Sequence, residues 1–151
     1  MINKKKIFIA VDTNRISKAN KIIRETQTKK IKIGYKFGLE FFYSKDGRKF
    51  LSSLKNQIIF LDLKLNDIPN TLKSAIGSLK DLKISYLTVH LSSGMSALKA
   101  LKKESKNIKI AGVTTLTSLN NKDLKKIGYN KKVNELVKHQ AKLAAKVKLD
   151  A

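Results

Sequence analysis

Charged side chains that could carry out chemistry lie together at the end of an apolar run, in the segment Ile58–Thr71 (IIFLDLKLNDIPNT). Side chains alternate faces along a strand. Asp62 and Lys64 would therefore share one face, and the leucines beside them the other. A carboxylate and an ammonium are costly to bury without a purpose. Together with Asp67, three residues further on, they make this segment the candidate site for acid–base or electrostatic chemistry.

The elements that must position this segment are five apolar, β-branched runs, which recur at the spacing of successive strand-plus-helix units. Near-continuous apolar runs are typical of parallel strands covered by helices on their faces. The runs are Ile7–Val11, Ile31–Phe37, Ile58–Leu63, Tyr86–Val89 and Ile108–Thr114.

The segments between these runs have the apolar spacing of helices. Four are predicted around Ile16–Ile23, Asp46–Lys55, Leu72–Leu79 and Met95–Leu101. After the fifth strand, Ser118 or Asn120 can cap a short helix that Gly128 ends, and a longer helix should span about residues 131–147. No linker or second domain is evident, so we predict one domain over residues 1–151.

Polar residues follow every predicted strand. In β/α folds the carboxyl ends of parallel strands carry the site. Taken singly, each residue could be no more than a cap or turn residue, but together they favour one composite site. They are Asp12, Thr13, Lys36, Asp62, Lys64, His90, Thr114, Thr115 and Thr117. Periodicity alone fits an open flavodoxin-like sheet as well as the first five units of an eight-stranded barrel.

Composition narrows the function classes. The chain has no cysteine, and His90 and His139 are its only histidines, so a metal site is not predicted. The net charge of +22 comes almost entirely from lysine, without the arginines and aromatic side chains that nucleic-acid sites usually use.

The apolar run Ile7–Val11 is too short for a signal peptide, and no apolar run could span a bilayer. We expect a soluble cytoplasmic protein.

The sequence Asp62–Thr71, DLKLNDIPNT, resembles the signature D-x-K-x-x-D-I-P-x-T of the orotidine 5′-phosphate decarboxylase family. Four further stretches are similar to the strands of that family, in the same order and at the same spacing. They are IFIAVD at residues 7–12, KFGLEFF at 36–42, LTVH at 87–90 and VTTLTS at 113–118. The resemblance covers essentially the whole chain.

The resemblance implies a (β/α)8 TIM barrel that converts orotidine 5′-phosphate to UMP, the last step of de novo pyrimidine synthesis, with neither metal nor organic cofactor. It also implies the catalytic roles. Lys64 would protonate C6 as carbon dioxide leaves, Asp62 would lie beside the substrate carboxylate, and Lys36 would bind the ribose and orient Asp62. Asp67 and Thr71 would reach into the site of a second subunit, since the family forms homodimers.

The substrate-binding residues implied by the resemblance include a ribose-binding Asp12 and a pyrimidine-contacting Thr117. The complete set is Asp12, Lys36, Asp62, Leu63, Lys64, Leu65, Asn66, Asp67, Ile68, Pro69, Asn70, Thr71 and Thr117.

Several of these residues have simpler interpretations. Asp67 ahead of Pro69 is also a good helix N-cap, and Asp62 with Lys64 could be a plain ion pair. Lys32 precedes an x-Gly step as Lys36 does, and could take its place.

The chain ends near Asp150, where the sixth strand of the barrel is expected. A barrel typically needs about 200–250 residues, and the family's phosphate-binding glutamine and arginine belong to the later units. We therefore expect a fragment that is marginally stable or self-associating and that binds substrate weakly. The alternatives are another barrel-type sugar-phosphate decarboxylase or aldolase, and a basic polyanion-binding module without catalysis.

Overall fold

The structure is a computed structural model that describes residues 6–151. Within this range the chain forms a five-stranded sheet in the order β1-β2-β3-β4-β5. The strands are β1 (Lys6–Ala10), β2 (Lys32–Gly38), β3 (Ile58–Leu65), β4 (Tyr86–His90) and β5 (Lys109–Val113). All five predicted strands are confirmed, with bounds that differ by at most two residues. The predicted α/β class is therefore correct.

Helices follow each strand. They are α1 (Ile16–Thr26), α2 (Leu39–Tyr43), α3 (Gly47–Ser53), α4 (Pro69–Ser78), α5 (Gly94–Glu104), α6 (Asn121–Lys126) and α7 (Val133–Val147). A 3₁₀ helix, Leu91–Ser93, precedes α5. Neither α2 nor the 3₁₀ helix is predicted from the sequence, because elements of about one turn are too short to show a helical period. No helix in residues 6–151 is long and apolar enough to cross a membrane.

The chain divides into two units. Unit one comprises the described residues up to Leu63 together with Ser78–Leu87, and unit two comprises Lys64–Gly77 with Thr88–Ala151. The single domain predicted over residues 1–151 stays a prediction, and its first five residues lie outside the described range.

In unit one, β1, β2 and β3 pair in parallel, with Lys6 opposite Lys32 and Gly38 opposite Asp62. Burial alternates along β3: Ile59, Leu61 and Leu63 are buried, whereas the residues between them are partly exposed. This is the pattern of a strand that packs one face against helices, as the sequence predicts.

Two aromatic clusters fill unit one. On the helix-covered side, Phe37, Phe41 and Phe50 are buried, with ring centroids 4.8–6.3 Å apart. A second cluster joins β1, β3 and β4 through rings whose centroids lie 5.1–5.6 Å apart, from Phe8, Phe60 and Tyr86. Such edge-on and tilted contacts stabilise beyond the area that they bury.

In unit two, α6 begins with a capping box. The Asn120 side chain accepts hydrogen bonds from the Lys122 and Asp123 amides, and Asp123 accepts from the Asn120 amide. Gly128 follows α6 with a φ of +89°, a left-handed value that glycine adopts without strain. Asn120, not Ser118, is therefore the cap, and the predicted end at Gly128 is confirmed.

The last residues of unit two lie along β5. The Gly112 amide donates to the Ala151 carbonyl at 2.8 Å, and the Asp150 amide donates to the Ile110 carbonyl at 2.9 Å. The Asp150 carboxylate accepts from the Ile110 amide at 2.8 Å and pairs with Lys102 of α5. These contacts tie the segment after α7 to both β5 and α5.

Candidate active site

Lys36 and Asp62 make direct contact at the ends of β2 and β3 in unit one. The Lys36 ammonium donates to Asp62 Oδ2 at 3.2 Å, and 31% and 13% of the two side chains are exposed. Lys32, the alternative to Lys36, is exposed at the opposite end of β2. Of the two lysines, Lys36 is thus the one whose ammonium meets Asp62.

Lys64 begins unit two with a left-handed backbone, φ +48°, although it lies within β3. Such a φ is uncommon for a residue other than glycine and costs free energy that the surroundings must offset. The Lys64 amide donates to Oγ1 of Thr88 at 2.7 Å. Thr88 lies in β4 and is 5% exposed. A residue held in this way is a candidate for function, because backbone strain concentrates at active sites.

The loop after β3 presents the remaining residues of the motif. Asn66 Oδ1 accepts from the Ser93 and Ser92 hydroxyls at 2.9 and 3.4 Å. Asp67 Oδ1 accepts from the Ile68 amide at 2.8 Å, and α4 begins at Pro69. This bond joins Asp67 to the next residue and not to an amide within the first turn of α4, so it does not confirm the interpretation of Asp67 as the helix cap.

The rest of the predicted set is spread over both units. In unit one, Asp12 follows β1 and is exposed, while Leu63 is buried. In unit two, Thr117 follows β5 and is exposed, and Leu65 is half-buried. The segment after Leu65 is exposed throughout: Asn66, Asp67, Ile68, Pro69, Asn70 and Thr71. The predicted roles of these residues in substrate binding stay predictions.

Three polar residues of unit two were missed by sequence reasoning. Thr88 lies within a predicted strand as an ordinary β-branched residue, and no sequence pattern distinguishes Ser92 or Ser93. The available signal was the polar Thr88 in the otherwise apolar interior of a strand, and a buried hydroxyl needs a partner. In the part of the chain that the structure describes, no three His, Asp or Glu side chains are grouped so that they could hold a metal ion.

Comparison with known proteins agrees with the fold and the motif. The model of the orotidine 5′-phosphate decarboxylase / HUMPS family matches residues 5–150. The curated orotidine 5′-phosphate decarboxylase of Carboxydothermus hydrogenoformans is 36% identical over 155 residues, which cover 96% of this chain and 63% of that protein. The one from Wolbachia sp. subsp. Brugia malayi is 40% identical over 149 residues, which cover 95% and 64%.

Among solved structures, that of orotidine 5′-phosphate decarboxylase from Lactobacillus acidophilus superposes with a TM-score of 0.81 at 27% identity. The match covers 97% of this chain and 69% of that one. The prediction of the TIM-barrel family fold is thereby confirmed. The chain spans 63–64% of the length of these curated relatives.

Proposed function

The chain belongs to the orotidine 5′-phosphate decarboxylase / HUMPS family, and on that premise we propose that it decarboxylates orotidine 5′-phosphate to UMP. The observation that carries the proposal is the Lys36–Asp62 ion pair at the carboxyl ends of β2 and β3, where enzymes of this fold class build their sites. The curated relatives are named for this reaction, which favours it over another sugar-phosphate decarboxylase or aldolase.

Asp62 has the role of raising the energy of the bound substrate. Two like charges about 4 Å apart repel by roughly 4 kcal/mol at an effective dielectric near 20. A carboxylate of the substrate placed beside Asp62 experiences this repulsion until it leaves as neutral carbon dioxide. The Lys36 ammonium donates a hydrogen bond to the Asp62 carboxylate at 3.2 Å. Lys36 and Asp12 bind the ribose hydroxyls of the substrate.

Lys64 has the role of proton donor. When the bond between C6 and the carboxylate breaks, its electron pair stays on C6. The Lys64 ammonium stabilises that charge and transfers a proton to C6, which forms the C–H bond of UMP and leaves a neutral amine. Preorganised charge of this kind acts where charge develops in the transition state. Solvent then returns a proton to the amine.

The exposed loop after β3 is proposed to serve a second copy of the chain. Asp67 and Thr71 are exposed, and Ile68 between them is 65% exposed, as residues awaiting a partner surface would be. In a two-fold dimer each copy would supply these residues to the other's site. Thr117 would contact the pyrimidine ring, and the remaining loop residues would surround the substrate. A cytoplasmic location goes with this reaction, because its substrate and product are nucleotides of central metabolism.

Subunit sharing is tested by mixing two inactive variants, Lys64→Ala and Asp67→Ala. In a shared-site dimer, a mixed dimer has one site with both residues intact, so random mixing restores about a quarter of wild-type activity. If the mixture remains as inactive as its components, the sharing of Asp67 between subunits is wrong.

The reaction itself is tested by following loss of orotidine 5′-phosphate absorbance with the purified chain. Wild type is expected to turn over substrate, and Lys64→Ala to lose about 10²–10⁴-fold in kcat, the range for a general acid. Lys73→Ala is the matched control, because Lys73 is an exposed lysine of α4. Absence of turnover by wild type would contradict the proposal for this chain, and full activity of Lys64→Ala would remove Lys64 from its role.

A further inference from the structure

The backbone of Lys64 sets the direction of its side chain. At a φ of +48°, the Cα–Cβ bond of a residue points away from the direction that regular strand alternation would give it. Lysine gains nothing from this conformation by itself, since only glycine adopts it readily. Something outside Lys64 must therefore favour it, and the contacts of its amide show what does.

A side chain of the neighbouring strand β4 accepts a hydrogen bond from the Lys64 amide. Oγ1 of Thr88 accepts this hydrogen bond at 2.7 Å, and both residues belong to unit two. Thr88 is 5% exposed in the middle of β4. A buried threonine has a stiff χ1 angle, so its hydroxyl offers a fixed acceptor position. The hydrogen bond forms when the Lys64 amide is turned towards β4.

We propose that Thr88 is a positioning residue, whose hydroxyl holds Lys64 in the left-handed conformation and thereby aims its ammonium at the substrate carbon. This inference rests on the proposed function, in which Lys64 is the proton donor. Without the Thr88 acceptor, the Lys64 backbone relaxes towards an ordinary strand conformation and its amine moves from the reacting atom. A displacement of about 1 Å at a catalytic group is enough to cost roughly 10²-fold in rate.

A purely structural role for Thr88 makes a different prediction. If Thr88 only satisfied a buried amide, its loss would lower stability and leave turnover per folded molecule unchanged. If it positions Lys64, kcat falls while KM changes little, because the other residues of the proposed substrate-binding set stay in place. The conservative change Thr88→Ser keeps the acceptor and should retain kcat, whereas the isosteric Thr88→Val replaces the hydroxyl with a methyl group.

The experiment combines steady-state kinetics with amide hydrogen exchange on wild type, Thr88→Val and Thr88→Ser. In Thr88→Val we expect kcat to fall about 10–100-fold, with KM within about threefold, and the Lys64 amide to lose its protection. The Ile110 amide, which donates to Asp150 at 2.8 Å, should stay protected as the control for local change. Thr88→Ser should lie within about threefold of wild-type kcat.

The outcomes separate the two proposals. If wild type turns over substrate and Thr88→Val keeps its kcat, the positioning role is wrong and the proposed function stands. If wild type shows no turnover, the proposed function fails, and hydrogen exchange alone tests the inference. Loss of protection of the Lys64 amide in Thr88→Val but not in Thr88→Ser then supports the hydrogen bond to Thr88. Full protection of the Lys64 amide in Thr88→Val contradicts the inference.

The inference can also be tested if Thr88→Val does not fold. Glycine adopts a positive φ unaided, so Lys64→Gly removes the need for the Thr88 acceptor. If Thr88→Val yields no folded protein, a folded Lys64→Gly/Thr88→Val double variant supports the inference, and an unfolded double variant contradicts it.

Discussion

The Lys36 ammonium meets Asp62 across 3.2 Å, and both side chains are mostly shielded from solvent, with 31% and 13% exposed. Lys21 and Glu25 of α1 form a geometrically looser pair, 3.9 Å apart with 65% and 55% exposed. The two pairs join the same kinds of charge in different surroundings. They differ in how much a broken contact should cost the fold.

Breaking the Lys36–Asp62 pair should destabilise the protein measurably. In a double-mutant cycle of Lys36→Met and Asp62→Asn, we expect a coupling energy of about 1–2 kcal/mol, since a partly shielded charge would lose its hydrogen bond. The same cycle with Lys21→Met and Glu25→Gln should give less than about 0.5 kcal/mol. Urea unfolding measures both cycles, and equal coupling energies in the two cycles would contradict the prediction.

Position 64 should prefer glycine to alanine for stability. Both substitutions remove the lysine side chain, but only glycine takes the φ of +48° without strain. We expect Lys64→Gly to be more stable than Lys64→Ala by about 1 kcal/mol. Lys32, at the exposed start of β2, is the control position, where alanine should be the better residue. The same order at both positions in urea unfolding would argue against strain at Lys64.

Asn120 should contribute to stability as the cap of α6, because it accepts from the Lys122 and Asp123 amides. Asn120→Ala leaves those donors without their acceptor, so we expect a loss of about 1 kcal/mol in the free energy of unfolding. Ser118→Ala, at an exposed position two residues earlier, should cost almost nothing. A comparable loss from both variants in thermal or urea unfolding would disprove the assignment of the cap.

Stability should fall at acid pH through Asp150. Burial by itself would raise the pKa of Asp150, but the hydrogen bonds from Lys102 and from the Ile110 amide, with the charges of Lys102 and Lys109, hold it below its ordinary value. A carboxyl whose pKa is lower in the folded state stabilises the fold above the unfolded-state pKa, near 3.9. That stabilisation is lost as pH falls through the folded-state pKa.

The denaturation midpoint, measured from about pH 5 down to pH 2, should therefore fall more steeply in wild type than in Asp150→Asn. Lys102→Met removes the largest lowering influence on the Asp150 pKa and should flatten the pH dependence in the same way. Lys103→Met removes an equal charge from the same turn of α5 and should leave the slope of wild type. A wild-type slope in Asp150→Asn would show that other groups govern the acid limb.

Gly47 should not tolerate a side chain. A Cβ at this position would lie 1.8 Å from the Phe41 carbonyl oxygen, which is a backbone atom and cannot turn aside. We expect Gly47→Ala to lower stability by about 1–3 kcal/mol through overpacking. A Cβ at Gly77 of α4 meets no atom within 4 Å, so Gly77→Ala should be neutral or stabilising. Calorimetric melting of the two variants measures the contrast.

Much of the fold could be predicted from the sequence, because its strands are long apolar runs bounded by charged residues. The start of β3 follows from the apolar run that begins at Ile58, and the start of the helix after it from Pro69, which fits the first turn of a helix. Leu39–Tyr43 is not predicted because LEFFY is too short to show a helical period, and its helical turn depends on packing of Phe41 in the core. Tertiary contacts, not local preference, decide such short elements.

The candidate site was less predictable than the fold. Motif spacing identifies Asp62 and Lys64 as neighbours along β3, and resemblance alone selects Lys36 in preference to Lys32. Neither reveals the left-handed φ of Lys64, because lysine carries no preference for it. The hydroxyl of Thr88 that accepts from the Lys64 amide was equally hidden, since threonine in a strand is ordinary.

The aromatic clusters make one unit of the chain optically distinct. The protein has no tryptophan and four tyrosines, three of which, Tyr35, Tyr43 and Tyr86, lie in unit one. Tyr35 is fully buried and Tyr86 is packed against two phenylalanine rings, while Tyr43 is 75% exposed. Rings fixed in this way produce the near-ultraviolet dichroism that disappears when packing is lost. Near-ultraviolet dichroism therefore reports mainly on unit one, whereas far-ultraviolet dichroism reports on all helices and strands. Coincident unfolding transitions in the two wavelength ranges would show that the units unfold cooperatively.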